Sequence, residues 1–301
     1  MAKIGLYDVD GHNWPNLPLM KLSAWHKAQG DDVERLNRFM TYDRVYKSKV
    51  YDFTAEDDTV IQADEIVAGG TGYGLDNDDK SQTIYRVLPD DVEHIYPDYG
   101  LYGVEDVAYG FLTRGCPRRC PFCIVSEKEG ARSVKVAELS EFWRGQQRIK
   151  LLDPNLLAAP EADDLLVRLA QSRTYIDFTQ GLDVRLLDET RAALIKAMRI
   201  QTIHFAWDDP KQDLTPQFAQ VKKWLGYNAR KLAVYVLTNY DSTHDEDLYR
   251  VETLRRLGFD PYVMICDKDS APRMTRLLQR YVNNKIIFGS CGWAEYDCKI
   301  G

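Results

Sequence analysis

Three cysteines in one short loop have a spacing that suits a metal centre. The loop runs from Gly115 to Cys123, and Cys116, Cys120 and Cys123 form a C-x3-C-x2-C pattern directly after an apolar, strand-like run at 107–113. Three thiolates at this spacing can converge on one iron–sulfur cluster, although a [4Fe–4S] cluster needs four ligands. Three protein ligands therefore leave one iron open, much as a catalytic zinc site keeps one position free. We expect the chemistry at that open iron.

An aromatic residue, Phe122, directly precedes the last cysteine of the loop. With this feature the loop resembles the signature of the radical SAM superfamily. The resemblance implies a [4Fe–4S] cluster on the three cysteines, whose fourth iron binds the amino and carboxylate groups of S-adenosylmethionine. One electron then cleaves a C–S bond and releases a 5′-deoxyadenosyl radical, which abstracts a substrate hydrogen. The alternative is a zinc knuckle, but structural zinc wants four N or S ligands, and no fourth Cys or His lies near Cys123.

The composition is that of a globular, cytoplasmic protein. The chain has 301 residues, of which 45% are hydrophobic and 28% are charged, and its length suggests about two domains. A net charge of −7 argues against extensive nucleic-acid binding, which needs a basic face. We expect no signal peptide and no membrane span, because no apolar run is long enough. Six cysteines in such a chain do not suggest a disulfide framework.

Residues 1–100 are predicted to form a small α/β domain with a parallel sheet. Strand-like runs at 3–9, 44–51 and 65–68 surround a helix predicted at 17–29. The polar, acidic stretch 77–98 is predicted to form surface turns that lead to the next domain. The region resembles the flavodoxin-like, cobalamin-binding type of domain that precedes the cluster loop in several radical SAM subfamilies.

A partial cobalamin motif supports that second resemblance. Base-off cobalamin domains carry D-x-H-x-x-G, then S-x-L, then a Gly-Gly pair, and this chain has Asp10-x-His12-x-x-Pro15, then Ser48-Lys49-Val50, then Gly69-Gly70. Pro15 replaces a glycine and Val50 a leucine. The resemblance implies that His12 ligates a metal, with Asp10 orienting its ring; otherwise His12 is a polar loop residue. The glycines are equally explained by a tight turn with positive φ.

Residues 101–290 are predicted to form six β/α units, followed by a tail at 291–301. Regular alternation of strands and helices predicts a parallel sheet that closes into a barrel or part of one. Six units match the partial (β/α)6 barrel, a TIM-type fold, of the radical SAM core. The predicted strands are 107–113, 149–153, 174–179, 201–207, 231–238 and 261–266, and the predicted helices are 134–147, 161–172, 188–198, 213–227, 245–258 and 270–283.

In α/β barrels functional residues lie at the carboxyl ends of strands, and that rule selects the remaining candidates. Asp153 and Asn155 follow the second strand and would accept hydrogen bonds from the amino group of S-adenosylmethionine, unless they form an Asx turn. Asp208 follows the fourth strand, where the family commonly contacts ribose. Ile265 ends the sixth strand and would line the adenine pocket. His204 lies inside the fourth strand and is expected to be a core residue.

The third strand ends in a polar run that contains Gln180, Asp183 and Arg185. Arg185 would pair with the carboxylate of S-adenosylmethionine in a bidentate fork. Gln180 and Asp183 would bind ribose or substrate. The alternative is an ion pair between Asp183 and Arg185 that is purely structural.

Two further sets of residues have open roles. Cys266, Cys291 and Cys298 would either ligate an auxiliary cluster or remain buried thiols. A basic rim surrounds the loop and would dock an acidic electron donor of the flavodoxin or ferredoxin type, receive a phosphorylated substrate, or simply be solvated. Its members are Arg114, Arg118, Arg119, Lys128, Arg132 and Lys135.

The sequence as a whole therefore predicts a radical SAM enzyme whose substrate it does not identify. A cobalamin-dependent radical SAM methyltransferase is an alternative within the same class. A non-catalytic iron–sulfur or zinc protein that only recognises a partner is the alternative from another class.

Overall fold

The computed structural model describes residues 1–11, 14–55, 60–74, 83–85 and 87–297. The chain forms two compact units, one of residues 1–109 with 137–146 and the other of residues 110–136 with 147–301. Each contains a sheet of parallel strands together with helices, so the α/β class expected from the sequence is confirmed. In the described part of the chain, no helix has the length and apolar character needed to cross a membrane.

The first unit contains a five-stranded sheet in the order β2-β1-β3-β4-β5 with every neighbouring pair parallel. The strand order reverses between β1 and β3, so loops at the carboxyl ends of these two strands diverge from each other. The prediction that residues 77–98 form surface turns is wrong in part, because a short strand and a short helix form within that range. The elements are β1 (Lys3–Asp8), α1 (Leu17–Ala28), β2 (Asp32–Arg35), β3 (Thr41–Ser48), β4 (Gln62–Gly69), β5 (Thr83–Tyr85) and α2 (Asp90–Glu93).

Apolar side chains from the sheet and from α1 form the core of the first unit. Ile4 and Leu6 alternate along β1 and pack with Leu19 and Leu22 of α1. Helix α1 begins after Asn16, whose side chain accepts a hydrogen bond from the Leu19 amide at 3.2 Å and so satisfies a donor that has no partner within the helix.

Within the first unit, buried Tyr99 connects residues 137–146 to the segment around Tyr109. Its hydroxyl donates to the carbonyl oxygen of Phe142 at 2.7 Å and accepts from the Tyr109 amide at 3.0 Å. Both partners are backbone groups, so the phenol satisfies polar atoms that would otherwise be buried without a bond.

The second unit is built on a six-stranded sheet in the order β13-β12-β11-β10-β9-β6. This order follows the chain without a reversal, and successive helices from α4 to α8 contact one another. The strands of this sheet are β6 (Val107–Gly110), which leads into the second unit, β9 (Arg148–Leu151), β10 (Tyr175–Leu182), β11 (Arg199–Ala206), β12 (Leu232–Thr238) and β13 (Asp260–Ile265). Two further strands, β7 (Thr113–Arg114) and β8 (Val134–Lys135), form a separate two-stranded sheet. The helices of the second unit are α3 (Val125–Lys128), α4 (Ala162–Gln171), α5 (Glu189–Lys196), α6 (Thr215–Leu225), α7 (His244–Leu257), α8 (Arg273–Asn283) and α9 (Lys285–Ser290).

Most predicted elements of the second unit are confirmed, but the helix predicted at 134–147 is wrong. Val134 and Lys135 instead form β8, which pairs antiparallel with β7. The Val136 amide continues this contact by donating to the Leu112 carbonyl at 2.8 Å. β-Branched residues favour such extended backbone, and only a short 3-10 turn follows at Leu139–Glu141. The strand predicted at 107–113 also ends early, at Gly110.

Candidate functional site

The cysteine loop leaves β7 and passes very close to the segment before β8. Gly115 has a φ of 84°, and a side-chain Cβ at this position would lie 2.1 Å from the carbonyl oxygen of Arg132. The next residue, Cys116, donates its amide to the Gly130 carbonyl at 3.1 Å. Only glycine fits such a close approach at positive φ, so Gly115 fixes the path by which the loop begins.

Asp153 holds the strand that leads into the cysteine loop. Its carboxylate accepts from the Thr113 amide at 2.5 Å, from the Thr113 hydroxyl at 2.7 Å and from the Leu112 amide at 3.1 Å. Burial raises the pKa of Asp153 to about 6, against the lowering effect of these hydrogen bonds. Asp153 was predicted to accept a hydrogen bond from the amino group of S-adenosylmethionine. Its carboxylate already accepts hydrogen bonds from three donors of the protein.

Asn155 lies beside the first cysteine. Its Nδ2 donates to Cys116 Sγ at 3.5 Å, within the range of hydrogen bonds to sulfur. The side chain is buried, and its Oδ1 has no partner among the residues that the structure describes. A buried acceptor without a donor is uncommon and costly. Asn155 therefore offers one free acceptor next to the Cys116 thiol.

The three thiols are half-buried and influence one another electrostatically. Burial, and then the neighbouring thiols of Cys123 and Cys116, raise the pKa of Cys120 above its usual value. Asp208 adds to this effect and Arg185 opposes it. Electrostatic interactions thus connect five side chains, which belong to the cysteine loop, to the end of β11 and to the turn after β10.

The chemistry of this donor set fits an iron–sulfur cluster better than a structural zinc ion. Within the described ranges, no three side chains of His, Cys, Asp or Glu are arranged to hold a metal ion, so binding would require the thiols to turn towards one another. Three soft thiolates suit iron–sulfur ligation. A structural zinc ion would need a fourth nitrogen or sulfur ligand.

A buried carboxylate ties the cysteine loop to the turn after β10. Asp183 accepts from Arg118 Nε at 2.5 Å and from Arg185 Nε at 2.7 Å. Burial acts to raise the pKa of Asp183, but Arg185 and then Arg118 outweigh it and lower the pKa below its usual value. The Asp183–Arg185 ion pair given as an alternative is thus present. Arg185 also donates to Gln212 at 2.7 Å.

Asp208 lies at the end of β11, and a buried arginine that the sequence did not single out holds the backbone around it. Arg250 of α7 donates to the carbonyl oxygens of Trp207 at 2.7 Å, Asp208 at 3.0 Å and Leu237 at 2.9 Å. Burial raises the pKa of Asp208 to about 6, against the Leu237 amide and the charges of Arg250 and Arg185. A clue in the sequence is the i, i+3 spacing of Asp247 and Arg250 in α7.

The other predicted residues are spread over several strand ends. Phe122 packs edge-on against Tyr240 after β12, with ring centroids 5.2 Å apart. Gln180 is exposed in β10, and Ile265 is half-buried at the end of β13. Of the possible auxiliary ligands, Cys266 is exposed and Cys291 is half-buried, and Cys298 lies outside the described residues.

Two members of the basic rim have acidic partners within the second unit. Arg114 pairs with Glu129 at 3.1 Å, and Arg118 pairs with Asp183. The charge that the rim offers to an electron donor or a phosphorylated substrate is therefore smaller than its composition indicates.

The residues of the partial cobalamin motif contact their own chain in the first unit. Asp10 accepts from the Val50 amide at 2.5 Å and from the Thr54 hydroxyl at 2.7 Å, while Ser48 accepts from Asn16 at 2.8 Å. Gly70 has a φ of 104°, and a Cβ there would lie 2.2 Å from the Lys49 carbonyl oxygen. The tight-turn explanation therefore accounts for this glycine. His12 lies outside the described residues.

No protein-family model matches the chain, and no curated protein matches it.

Proposed function

We propose that the chain is a radical SAM enzyme, and the spacing of Cys116, Cys120 and Cys123 is the observation that carries the proposal. Phe122 before the last cysteine completes the resemblance. Two features of the structure support it. Gly115 and Asp153 hold the start of the loop, and the loop lies near the carboxyl-terminal ends of β10 and β11 through Arg118 and Asp208.

Cys116, Cys120 and Cys123 would hold the cluster. When bound and reduced, the cluster would supply the electron that splits S-adenosylmethionine into methionine and a 5′-deoxyadenosyl radical. The protein positions the cosubstrate and keeps water away from the radical. Asn155 Oδ1 would accept a hydrogen bond from the amino group of S-adenosylmethionine. Asp208, half-protonated near pH 6, would accept hydrogen bonds from the ribose hydroxyls of the same molecule.

Further residues would complete the cosubstrate site. Ile265 and Phe122 would provide apolar contacts to its adenine ring and methionine chain. Arg185 would reach its carboxylate only by exchanging Gln212, since one guanidinium edge already faces Asp183. Asp183 would then orient Arg185 rather than bind ribose, and exposed Gln180 would contact substrate.

The finer fold assignments belong to the same proposal. A sheet whose strand order follows the chain, with each helix contacting the next, supports a partial (β/α)6 barrel in the second unit. In the first unit the order 2-1-3-4-5 supports the flavodoxin-like type.

Methyl transfer that depends on cobalamin is a second candidate, and the strand reversal between β1 and β3 is what favours it. Ligands of doubly wound sheets bind at such a reversal. The protein should then retain hydroxocobalamin through desalting, with its visible spectrum, and His12→Ala should weaken retention. A protein that retains no cobalamin would remove this candidate.

Anaerobic reconstitution with iron and sulfide tests the main proposal. We expect about four irons per chain, a brown protein, and loss of both in Cys120→Ala. Cys266→Ala is the matched control, because this exposed cysteine lies outside the loop; it should keep its iron. A colourless, zinc-loaded protein would instead favour the non-catalytic class.

A further inference from the structure

Five side chains, none of them assigned to the cysteine site above, form a continuous row across five neighbouring strands of the second unit. Lys150 of β9 is paired in register with Asp177 of β10, and Tyr235 of β12 is paired with Tyr262 of β13. His204 of β11 stands between them: its Nδ1 is 4.0 Å from Asp177 Oδ1, and its ring stacks on Tyr235. The row combines a carboxylate, a cation, an imidazole and two phenol rings.

Asp177 in this row lacks a direct hydrogen bond to its Oδ1. The residue is only 9% exposed, and Oδ1 has no partner in the part of the chain that is described. Two basic nitrogens nearby are too distant to donate: Lys150 Nζ is 3.9 Å from Oδ2 and His204 Nδ1 is 4.0 Å from Oδ1. A buried acceptor that lacks a donor is destabilising. Such a group is usually explained by a ligand or a role in function.

The carbonyl oxygen beside His204 Nδ1 determines which ring nitrogen carries the hydrogen. Nδ1 lies 2.8 Å from the carbonyl oxygen of Phe178, and because a carbonyl can only accept, Nδ1 carries a proton. In the neutral ring Nε2 is then an acceptor. Asp177 and His204 therefore both present acceptors, while Lys150 presents donors.

Aromatic rings extend the row towards solvent. The rings of His204 and Tyr235 are nearly parallel, 12° apart with centroids separated by 5.0 Å, and Tyr262 meets Tyr235 edge-on at 6.1 Å. Tyr235 is fixed because its hydroxyl donates to the Thr179 carbonyl at 3.0 Å. Tyr262 is 44% exposed, so a flat molecule can reach a phenol face. Stacking of a base on such a ring is favourable.

We propose that this row binds a purine with a lactam edge, a guanine-type base on a small molecule. Guanine presents two neighbouring N–H donors, which match the carboxylate of Asp177, and beside them a carbonyl oxygen, which matches Lys150. Adenine presents a ring-nitrogen acceptor where guanine has its central donor, and it would face the carboxylate unfavourably. The net charge of −7 disfavours a polynucleotide, so the base belongs to a nucleoside or nucleotide. The terminal torsion of a carboxyl group has a broad range, so either oxygen of Asp177 can meet a donor.

The binding does not depend on the proposed function. Binding is measured by calorimetry on the full chain without iron or S-adenosylmethionine, so the two proposals can fail separately. We expect guanosine to bind about tenfold or more tightly than adenosine, the difference that one well-matched pair of hydrogen bonds provides. Equal affinities, or no binding of guanosine, would overturn the proposal.

Asp177→Asn gives a test that misfolding cannot imitate. The new amide offers one acceptor and one donor, which complement xanthine, whose carbonyl replaces the guanine amino group. Preference should therefore move from guanosine to xanthosine, by about tenfold or more. Lys223→Met, on an exposed position of α6, is the control and should bind guanosine like the natural protein. Weakening of both nucleosides alike in Asp177→Asn would count against the assignment.

Discussion

Replacing Arg250 by Leu should destabilise the second unit more than any exposed substitution on the same helix. The guanidinium is buried and donates to the carbonyl oxygens of Trp207, Asp208 and Leu237 and, at 2.5 Å, to Asp247 Oδ1. Leu fills part of the space but provides no donor. Three carbonyl groups and one carboxylate would therefore lose their partner together.

The expected loss follows from the carboxylate that is left behind. Removing one partner of a buried ion pair costs about 3–5 kcal/mol, because the other charge stays buried without compensation. Asp247 is 1% exposed, and burial already raises its pKa, so water cannot replace the lost donor. Replacing both Arg250 and Asp247 by Leu removes both charges. The double variant should therefore lose less stability than the sum of the two single variants.

Urea unfolding of the natural protein, Arg250→Leu, Asp247→Leu and the double variant measures the coupling free energy between the two residues. Arg256→Leu, on the exposed side of α7, is the matched control, and its free energy of unfolding should stay within about 0.5 kcal/mol of the natural protein. A loss below about 1 kcal/mol in Arg250→Leu, or strictly additive losses in the double variant, would refute this reasoning.

Three further predictions concern single residues. Burial raises the pKa of Asp153 to about 6, so the folded protein holds this proton more tightly than the unfolded chain does. The free energy of unfolding should therefore fall by up to about 3 kcal/mol as the pH rises from about 4 to about 6. In urea titrations, Asp153→Asn should lack this part of the pH dependence. Gly115→Ala should cost clearly more than Gly130→Ala in thermal unfolding, since both have positive φ but only the first Cβ meets backbone, at 2.1 Å; equal losses would contradict this. Tyr99→Phe should cost about 1–3 kcal/mol because two buried backbone groups lose their partner, whereas Tyr175→Phe at an exposed phenol should be nearly neutral.

Much of the second unit could be predicted from the sequence because its signals are local. Apolar strands alternate with helices at regular distances, and acidic residues with a terminal glycine mark the ends of α7. Thr243 and Glu246 form a capping box at the start of α7, and Gly258 has a φ of 78° at its end. These patterns depend on neighbouring residues, and the chain expresses them wherever it lies.

The partners of the site residues could not be predicted, because they depend on distant segments. Asp153 turns towards the amides before the cysteine loop, forty residues earlier in the chain, rather than into a local Asx turn. Arg250 looks like a surface residue of a charged helix, yet it is buried against two strand ends. The helix predicted at 134–147 is wrong for the same reason, because β8 pairs with β7, which lies earlier in the chain.

The most direct test of the central claim is the amount of 5′-deoxyadenosine formed by the reconstituted protein with S-adenosylmethionine and dithionite, without oxygen. We expect the product from the natural chain and from Cys266→Ala, and none from Cys120→Ala. A protein that carries the full cluster on its three cysteines and still forms no 5′-deoxyadenosine would contradict the assignment of radical SAM chemistry.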